Sequence, residues 1–366
     1  TENCQLNLVR PREKDGVLYP ELIIFEPDYL VDISAIAACF DSETPSPLNH
    51  LLNKLKPAPN TSPILLGNLA SQFLDEGLYL YPNDCPYVES VQRFFQKNAL
   101  SLLTAGLESD FHTKAQQQKQ HIQDVLHQVL PEVFKNDGIR QFDASEIIVE
   151  PSFYSEMLGI QGRMDFLQLD QKILIEQKAG KAGFPEQDPP KPQEKHYVQL
   201  LLYMLLLRYN NRTQYEKNAR NIHCMLLYSK YREGLIDLGF APELVFEALK
   251  VRNELVVNEF SYTHGNIDVL THLTTEGPVK WKSFQKTQIE ALLAPIKSAS
   301  ALERAYFLRF LTFLETEHLM AKVGNRTTLN AGFADKWHSS LEEKLLAGNI
   351  YCDLELISPS PTDEGM

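Results

Sequence analysis

A chain of 366 residues with 43% apolar and 23% charged residues is long enough for one large or two to three ordinary domains with a buried core. Its net charge of −13 argues by itself against a polyanionic partner, and no apolar run is long enough to span a bilayer. Five scattered cysteines (Cys4, Cys39, Cys85, Cys224, Cys352), never spaced C-x-x-C, exclude a disulfide framework and a clustered zinc or iron–sulfur site, and point to a reducing cytoplasmic compartment.

The N-terminus "TENCQLNLVRPREKDG" has no apolar signal core, and its initial Thr suggests an excised or processed fragment. Residues 1–60 are interrupted by Pro11, Pro20, Pro27, Pro45, Pro47, Pro57 and Pro59 and read as loops and short strands. "DYLVDISAIAACF" (28–40) predicts a strand running into a short helix. Apolar residues at 65, 66, 69, 73 and 74 give 63–77 a helical period, and further helices are expected at 87–105 and 110–134.

The pattern then switches. "SEIIVEPSF" (145–153), "GIQGRMDFLQL" (159–169) and "KILIEQKAG" (172–180) predict three short strands, with "LDQK" (169–172) as a turn. A Pro-rich loop, "GFPEQDPPKPQ" (183–193), leads into a strong helix at 194–209, and "NIHCMLLYS" (221–229) predicts an apolar strand. Helices are expected at 241–259, 282–297, 300–323 and 335–347, and "NIYCDLELI" (349–357) reads as a strand without a partner. The resulting class is α/β (α+β), a mixed central sheet flanked by helices with N-terminal and C-terminal additions. The chain divides into 1–60, a core with its preceding helices at 61–235, and a helical region at 236–366.

Charge is unevenly spread. Residues 172–232 hold 11 Lys/Arg against 5 Asp/Glu, a net of +6, which leaves −19 for the rest. That fits a basic working face on an acidic body.

Within "KILIEQKAG" the strand period of two sends Leu174, Glu176 and Lys178 to one face and Ile173, Ile175 and Gln177 to the other. Glu176 and Lys178 are then about 7 Å apart along one edge. Counting back from the turn, Asp165 falls opposite Glu176, so two carboxylates can share one cation. Two hard oxygen ligands with open water positions suit Mg²⁺, and the Gln177 carbonyl offers a third. Lys178 beside them can orient a water nucleophile and neutralise charge on a phosphorane. The bland alternative is an ion pair in a hairpin. Three features weigh against it: Gly162-Arg163 just before Asp165, Gln199 and Tyr203 four apart on the 194–209 helix, and Lys191 and Lys195 near that helix's N-terminus.

G-R-x-D, then I-E-x-K, then Q-x-x-x-Y resembles the ordered signature of the PD-(D/E)XK nucleases of RecB-like type. Within that superfamily the chain is similar to the nuclease part of bifunctional replication and repair nuclease–helicases. The resemblance covers roughly 145–230 and implies a restriction-endonuclease-like core and Mg²⁺- or Mn²⁺-dependent DNA cleavage. It makes Asp165 and Glu176 metal ligands, Lys178 the catalytic lysine, and Gln199 with Tyr203 the bracing pair. Arg163, Lys181, Lys191 and Lys195 become candidate DNA contacts, on single strands or ends. "ERAYFLRFLTFLETEHLMAKVG" (303–324) resembles the helical segment leading into superfamily 1 helicases. No phosphate-loop motif occurs, so a motor is expected beyond residue 366, with the whole polypeptide nucleoid-associated and off the membrane.

Two departures stand out. Relatives carry G-x-x-x-H on the helix before the core, where this chain has Ser71 after Gly67. The site then keeps two carboxylates or borrows Glu76, Glu150 or Asp75. The cysteine pattern of the iron–sulfur relatives is missing as well, so no cluster is expected. The rival readings are a degenerate nuclease fold that only binds DNA or docks a helicase, and, more remotely, a two-carboxylate glycosidase. His196 reads as a surface histidine, and Trp281, Trp337, Tyr228 and Tyr231 as packing residues.

Overall fold

A computed structural model describes residues 4–132, 142–168, 173–210, 223–324 and 332–355. Its centre is a mixed five-stranded sheet in the order β12-β11-β10-β9-β6, built from β6 (Ile147–Val149), β9 (Phe166–Gln168), β10 (Ile173–Lys178), β11 (His223–Tyr228) and β12 (Leu235–Asp237). β10 and β11 run parallel, and the other neighbours are antiparallel. A second sheet of three strands sets β8 (Ile160–Arg163) between β5 (Val31–Asp32) and β7 (Ser152–Ser155). β1 (Leu6–Val9) pairs with β4 (Leu22–Phe25), and β2 (Arg12–Lys14) with β3 (Val17–Tyr19).

Both faces of the central sheet are covered, which is why β10 opens on the apolar run Ile173-Leu174-Ile175 and β11 is apolar from Cys224 to Leu227. Leu174 enters a core with Val198, Leu201 and Leu202 of the helix Glu194–Asn210, and with Leu249 and Val256 of the helix Pro242–Thr263. Ile173 and Ile175 enter the opposite core, against Leu69 and Phe73 of Ser62–Tyr79 and Phe111 and Ile122 of Phe111–Asp124. Each fully buried aliphatic side chain of this kind stabilises by roughly 1.5–3 kcal/mol. The helix Glu194–Asn210 is apolar nearly all round because it is packed nearly all round.

The N-terminal region belongs to the same packing. Ile24, Tyr29, Ile33, Ile36 and Phe40 share the core of the Glu194–Asn210 helix, and β5 pairs with β8. Arg252, fully buried, ties this region down by donating to the carbonyls of Phe25, Glu26, Tyr29 and Gly159. A third core joins Leu51 and Leu52 of Leu48–Leu55 to Ile289 and Leu293 of Ser283–Ser298 and Leu311 of Ala301–Val323.

Several boundaries differ from the sequence expectation. The helix expected over 87–105 is two, Tyr87–Lys97 and Ala99–Ala105, because Asn98 leaves helical geometry and turns its side chain back onto the Phe94 carbonyl. The 110–134 helix holds to Asp124 and then widens into a π-helical turn, Val125–Val129. The 335–347 helix divides at Ser339–Ser340, where Ser340 caps a new helix, Leu341–Leu346. Residues 349–355 form no strand, and Tyr351 and Leu354 are exposed; residues 356–357 of the expected strand lie outside the described residues. The turn at 169–172 lies outside the described residues, as do Arg212, Lys217 and Arg220 of the basic stretch.

Most telling is the fate of the first two predicted strands. Each is split in two, with its halves in different sheets, yet one register runs through both. Ile147 pairs with Gln168 and Ser155 with Ile160, and between them Glu150 N donates to the Asp165 carbonyl and Met164 N to the Pro151 carbonyl, each at 3.1 Å. The two halves are one antiparallel ribbon with a crease. Pro151 has no N–H to return to the ladder, and Glu150 before it takes φ 52°, a region uncommon for side-chain-bearing residues. The ribbon therefore turns at Glu150–Pro151 on one strand and Met164–Asp165 on the other.

Candidate active site

Asp165 sits on that crease, immediately before β9. The β9–β10 register pairs Leu167 with Leu174 and Phe166 with Ile175, and one further step sets Asp165 opposite Glu176. Asp165 Oδ2 accepts a 2.7 Å hydrogen bond from the Gln177 N–H. A carboxylate at the end of a short strand is thus pinned by the backbone of its neighbour.

On β10 the alternation holds. Glu176 and Lys178 lie on the face of the Glu194–Asn210 helix, and Gln177 on the other, where its side-chain amide donates to the Ala70 carbonyl at 3.1 Å. Gln177 contributes to the site through its backbone, with its N–H on Asp165. Glu176 is only 3% exposed, and its Oε1 accepts from Lys178 Nζ and from Gln199 Nε2, both at 2.7 Å. The ion pair posed as the bland alternative is therefore present, but it uses one oxygen. Glu176 Oε2 is buried with no hydrogen-bond partner among the described residues, an atom that costs free energy unless something positive meets it.

The Gln/Tyr pair closes the arrangement. Gln199 Nε2 also reaches Tyr203 Oη at 3.1 Å, and the Tyr203 hydroxyl donates to the Arg163 carbonyl at 2.7 Å. One helix thereby holds the carboxylate of β10 and the backbone two residues before Asp165. Gly162 makes this possible: a Cβ there would stand 2.7 Å from the Tyr203 ring and 3.2 Å from the Ile33 side chain. The Gly of G-R-x-D and the Tyr of Q-x-x-x-Y are one contact seen from two sides.

Burial pushes the Glu176 carboxyl up to about 7, against the opposing pull of Lys178. Asp165 is raised as well, first by burial, with the Gln177 N–H and Lys178 working the other way. Asp75, on the Ser62–Tyr79 helix, is pushed up to about 6 by burial and by the charges of Glu150 and Asp165. Acidic groups thus crowd this end of the sheet. Among the described residues no cluster of three or more His, Cys, Asp or Glu is arranged to hold a metal. A pair of carboxylates with one orphaned oxygen still fits a hard cation that retains most of its water, as Mg²⁺ does.

The remaining candidates fall into two groups. Arg163 pairs with Glu150 at 3.0 Å on the exposed surface, and half-buried Lys195 pairs with Asp41 at 3.1 Å, so each already has an acidic neighbour. Asp41 lies in a segment with no sequence signal for that role. Lys181 and Lys191 are exposed on the loop between β10 and the Glu194–Asn210 helix. Ser71 is exposed, with its hydroxyl turned back to the Gly67 carbonyl at 3.3 Å, and Glu76 pairs with Arg93. His196 is half-buried rather than a surface residue. It meets the Tyr228 hydroxyl at 2.8 Å and is pushed down to about 3 by burial and the nearby Lys178 and Lys195 charges, so it is neutral at pH 7. Tyr228, Tyr231 and Trp281 are buried packing residues, and Trp337 donates to Asp28.

No helix among the described residues is long and apolar enough to cross a membrane. A search of the curated proteins finds no match to this chain. The family model described as the PD-(D/E)XK nuclease superfamily matches residues 64–293, more than half of the chain and beyond the core expected at 61–235. With that match and a mixed sheet flanked by helices, the chain belongs to the PD-(D/E)XK nuclease superfamily.

Proposed function

We propose that the chain is a metal-dependent deoxyribonuclease that hydrolyses phosphodiester bonds in single-stranded or end-containing DNA. The observation that carries this reading is the buried, unpartnered Oε2 of Glu176 beside Asp165 and Lys178. Asp165 and Glu176 would hold Mg²⁺ or Mn²⁺, with the Gln177 backbone alongside. When bound, such a cation supplies Lewis acidity and lowers the pKa of water.

The chain's own residues do the rest. The Gln177 N–H fixes the Asp165 carboxylate, and Gln199 fixes Oε1 of Glu176, so neither must reorganise during reaction. Lys178 keeps an ammonium at the same oxygen, placed to orient an attacking water and to offset charge on a pentacovalent phosphorus. Lys181 and Lys191 supply exposed positive charge for a strand's phosphates. A role in replication or repair, a RecB-like subtype and a superfamily 1 helicase in the same polypeptide rest on the sequence resemblance. The Ala301–Val323 helix adds an exposed row of Leu302, Tyr306, Phe310 and Phe313, suited to a protein neighbour. The same reading places the protein inside the cell, at the nucleoid.

The test is degradation of labelled single- and double-stranded DNA with Mg²⁺ or Mn²⁺ and a chelator control; no cleavage in any combination refutes it. Ser71, with its hydroxyl spent on its own helix, favours a second reading: a degenerate fold that binds DNA or docks a helicase without cutting. Calorimetry separates the two, since the inert scaffold takes up no divalent cation that depends on Asp165 and Glu176.

A further inference from the structure

Phe184 is 93% exposed, the largest exposure of any aromatic residue described. A phenylalanine in water normally marks either a loose loop or an interaction surface, and this loop is tied on both sides of the ring. Ala182 N donates to the Tyr231 hydroxyl at 3.2 Å, and Gly183 N to the Lys191 carbonyl at 2.6 Å. Glu186 accepts from Lys230 and Tyr231. Asp188 accepts from the backbone of Arg232 and Glu233, and Gln193 donates to the Lys181 and Ala182 carbonyls. At Gly183 the two limbs press so close that a Cβ would lie 2.9 Å from the Lys191 carbonyl oxygen. The anchors belong to the turn after β11, whose Ser229 N bonds the Lys178 carbonyl at 3.1 Å. The loop is therefore braced against the residue that ends the catalytic strand, and it holds one aromatic ring out in solvent.

We infer that Phe184 is a stacking platform for one base of a single-stranded nucleic acid whose neighbouring phosphate lies in the Asp165/Glu176/Lys178 site. Phe184 stands six positions after Lys178, a reach of at most about 20 Å, or a few nucleotides along a strand. Exposed Lys181 and Lys191 lie on the same loop, and the Gly183 N–H bond to the Lys191 carbonyl brings the Lys191 backbone against the residue before Phe184. An exposed aromatic ring on a braced loop that also carries lysines is the kind of arrangement by which single strands are held without base preference. Because the loop is already ordered, the stack forms without the entropy loss of freezing a mobile segment. A duplex offers no free base face, so the ring favours unpaired strands and ends. This inference rests on the nuclease reading for its phosphate site.

The experiment uses the full chain and oligo(dT) strands carrying a single 2-aminopurine, moved one position at a time, with binding read without divalent cation and cleavage read with Mn²⁺. The result expected is strong quenching at one position, at a fixed offset from the cut. Phe184→Ala loses that quenching and weakens single-strand binding by roughly five- to a hundredfold, the range of one base–aromatic stack, and Phe184→Trp restores both. An identical quenching profile in wild type and Phe184→Ala, with cleavage intact, overturns the stack and leaves the nuclease reading standing. Phe184-dependent quenching without any cleavage does the reverse. Since the side chain touches solvent, neither variant endangers the fold, and a thermal melt confirms this.

Discussion

The Tyr203 hydroxyl donates to the Arg163 carbonyl at 2.7 Å, tying the Glu194–Asn210 helix to the ribbon two residues ahead of Asp165. Gln199, one turn earlier, donates to Glu176 on the neighbouring strand. A single rigid helix thus fixes the spacing between two carboxylates carried by different strands, and their alignment depends on packing rather than on loop conformation.

Tyr203→Phe should keep the fold but free the ribbon at Arg163, lowering stability by about 1 kcal/mol, the net worth of one buried hydrogen bond. Cleavage should fall about tenfold through misalignment. Gly162→Ala forces a methyl into the Tyr203 ring and should cost about 1–3 kcal/mol. Chemical denaturation paired with a cleavage assay checks both, and an unchanged rate in Tyr203→Phe would show that the link is structural only.

Asp165→Asn, Glu176→Gln and Lys178→Met should each reduce hydrolysis at least about a thousandfold, the scale on which removal of catalytic electrostatics acts. The first two should also abolish tight Mn²⁺ uptake, whereas Lys178→Met should retain it. Isothermal titration with Mn²⁺ beside single-turnover cleavage distinguishes ligand from catalyst.

The pH dependence of the metal-free protein follows from Glu176. Its folded value of about 7 lies above the ordinary 4.5, so between those values the unfolded chain holds fewer protons than the native one. Stability then falls as pH rises through that window and levels off above about 7. Glu176→Gln should remove its share of this slope, and Mn²⁺ at pH 7.5 should raise the melting temperature of wild type but not of the variant. Calorimetry from pH 5 to 8 is the measurement.

A second buried network predicts the response of the C-terminal helix. Lys54 Nζ bonds Glu259 at 2.6 Å and Glu315 at 2.8 Å, joining the helices Leu48–Leu55, Pro242–Thr263 and Ala301–Val323. Burial and then the neighbouring Glu259 push the Glu315 carboxyl above its ordinary range. Lys54→Met removes the ammonium shared by two buried carboxylates, leaving Glu259 with the Tyr29 hydroxyl, and should cost about 3–5 kcal/mol at pH 8, whereas Glu315→Gln should raise the melting temperature there. Thermal melts at pH 8 check both variants, and equal effects from the two would refute this account of the network.

Residues whose placement follows from backbone period were legible in advance. The faces of Leu174, Glu176 and Lys178, the opposition of Asp165 to Glu176 and the shared side of Gln199 and Tyr203 all follow from two-residue and 3.6-residue repeats, which are properties of the local chain. What the sequence could not reveal depends on contacts between distant residues. Lys195 reads as a free cation until Asp41 is folded against it, and His196 as a surface group until Tyr228 covers it.

The alternation of β10 and the order of its charged residues were set by the amino-acid sequence alone, because side-chain direction in a strand is a local consequence of the pleat. The crease at Glu150–Pro151 that turns Asp165 into the site, the sharing of one Glu176 oxygen by Lys178 and Gln199, and the Phe184 ring held out over solvent were decided only in three dimensions. Each of these needs a partner on another element, such as Asp165 for Glu150, Gln199 for Glu176 or Tyr231 for the Phe184 loop, and packing of the folded chain brings such groups within hydrogen-bonding distance.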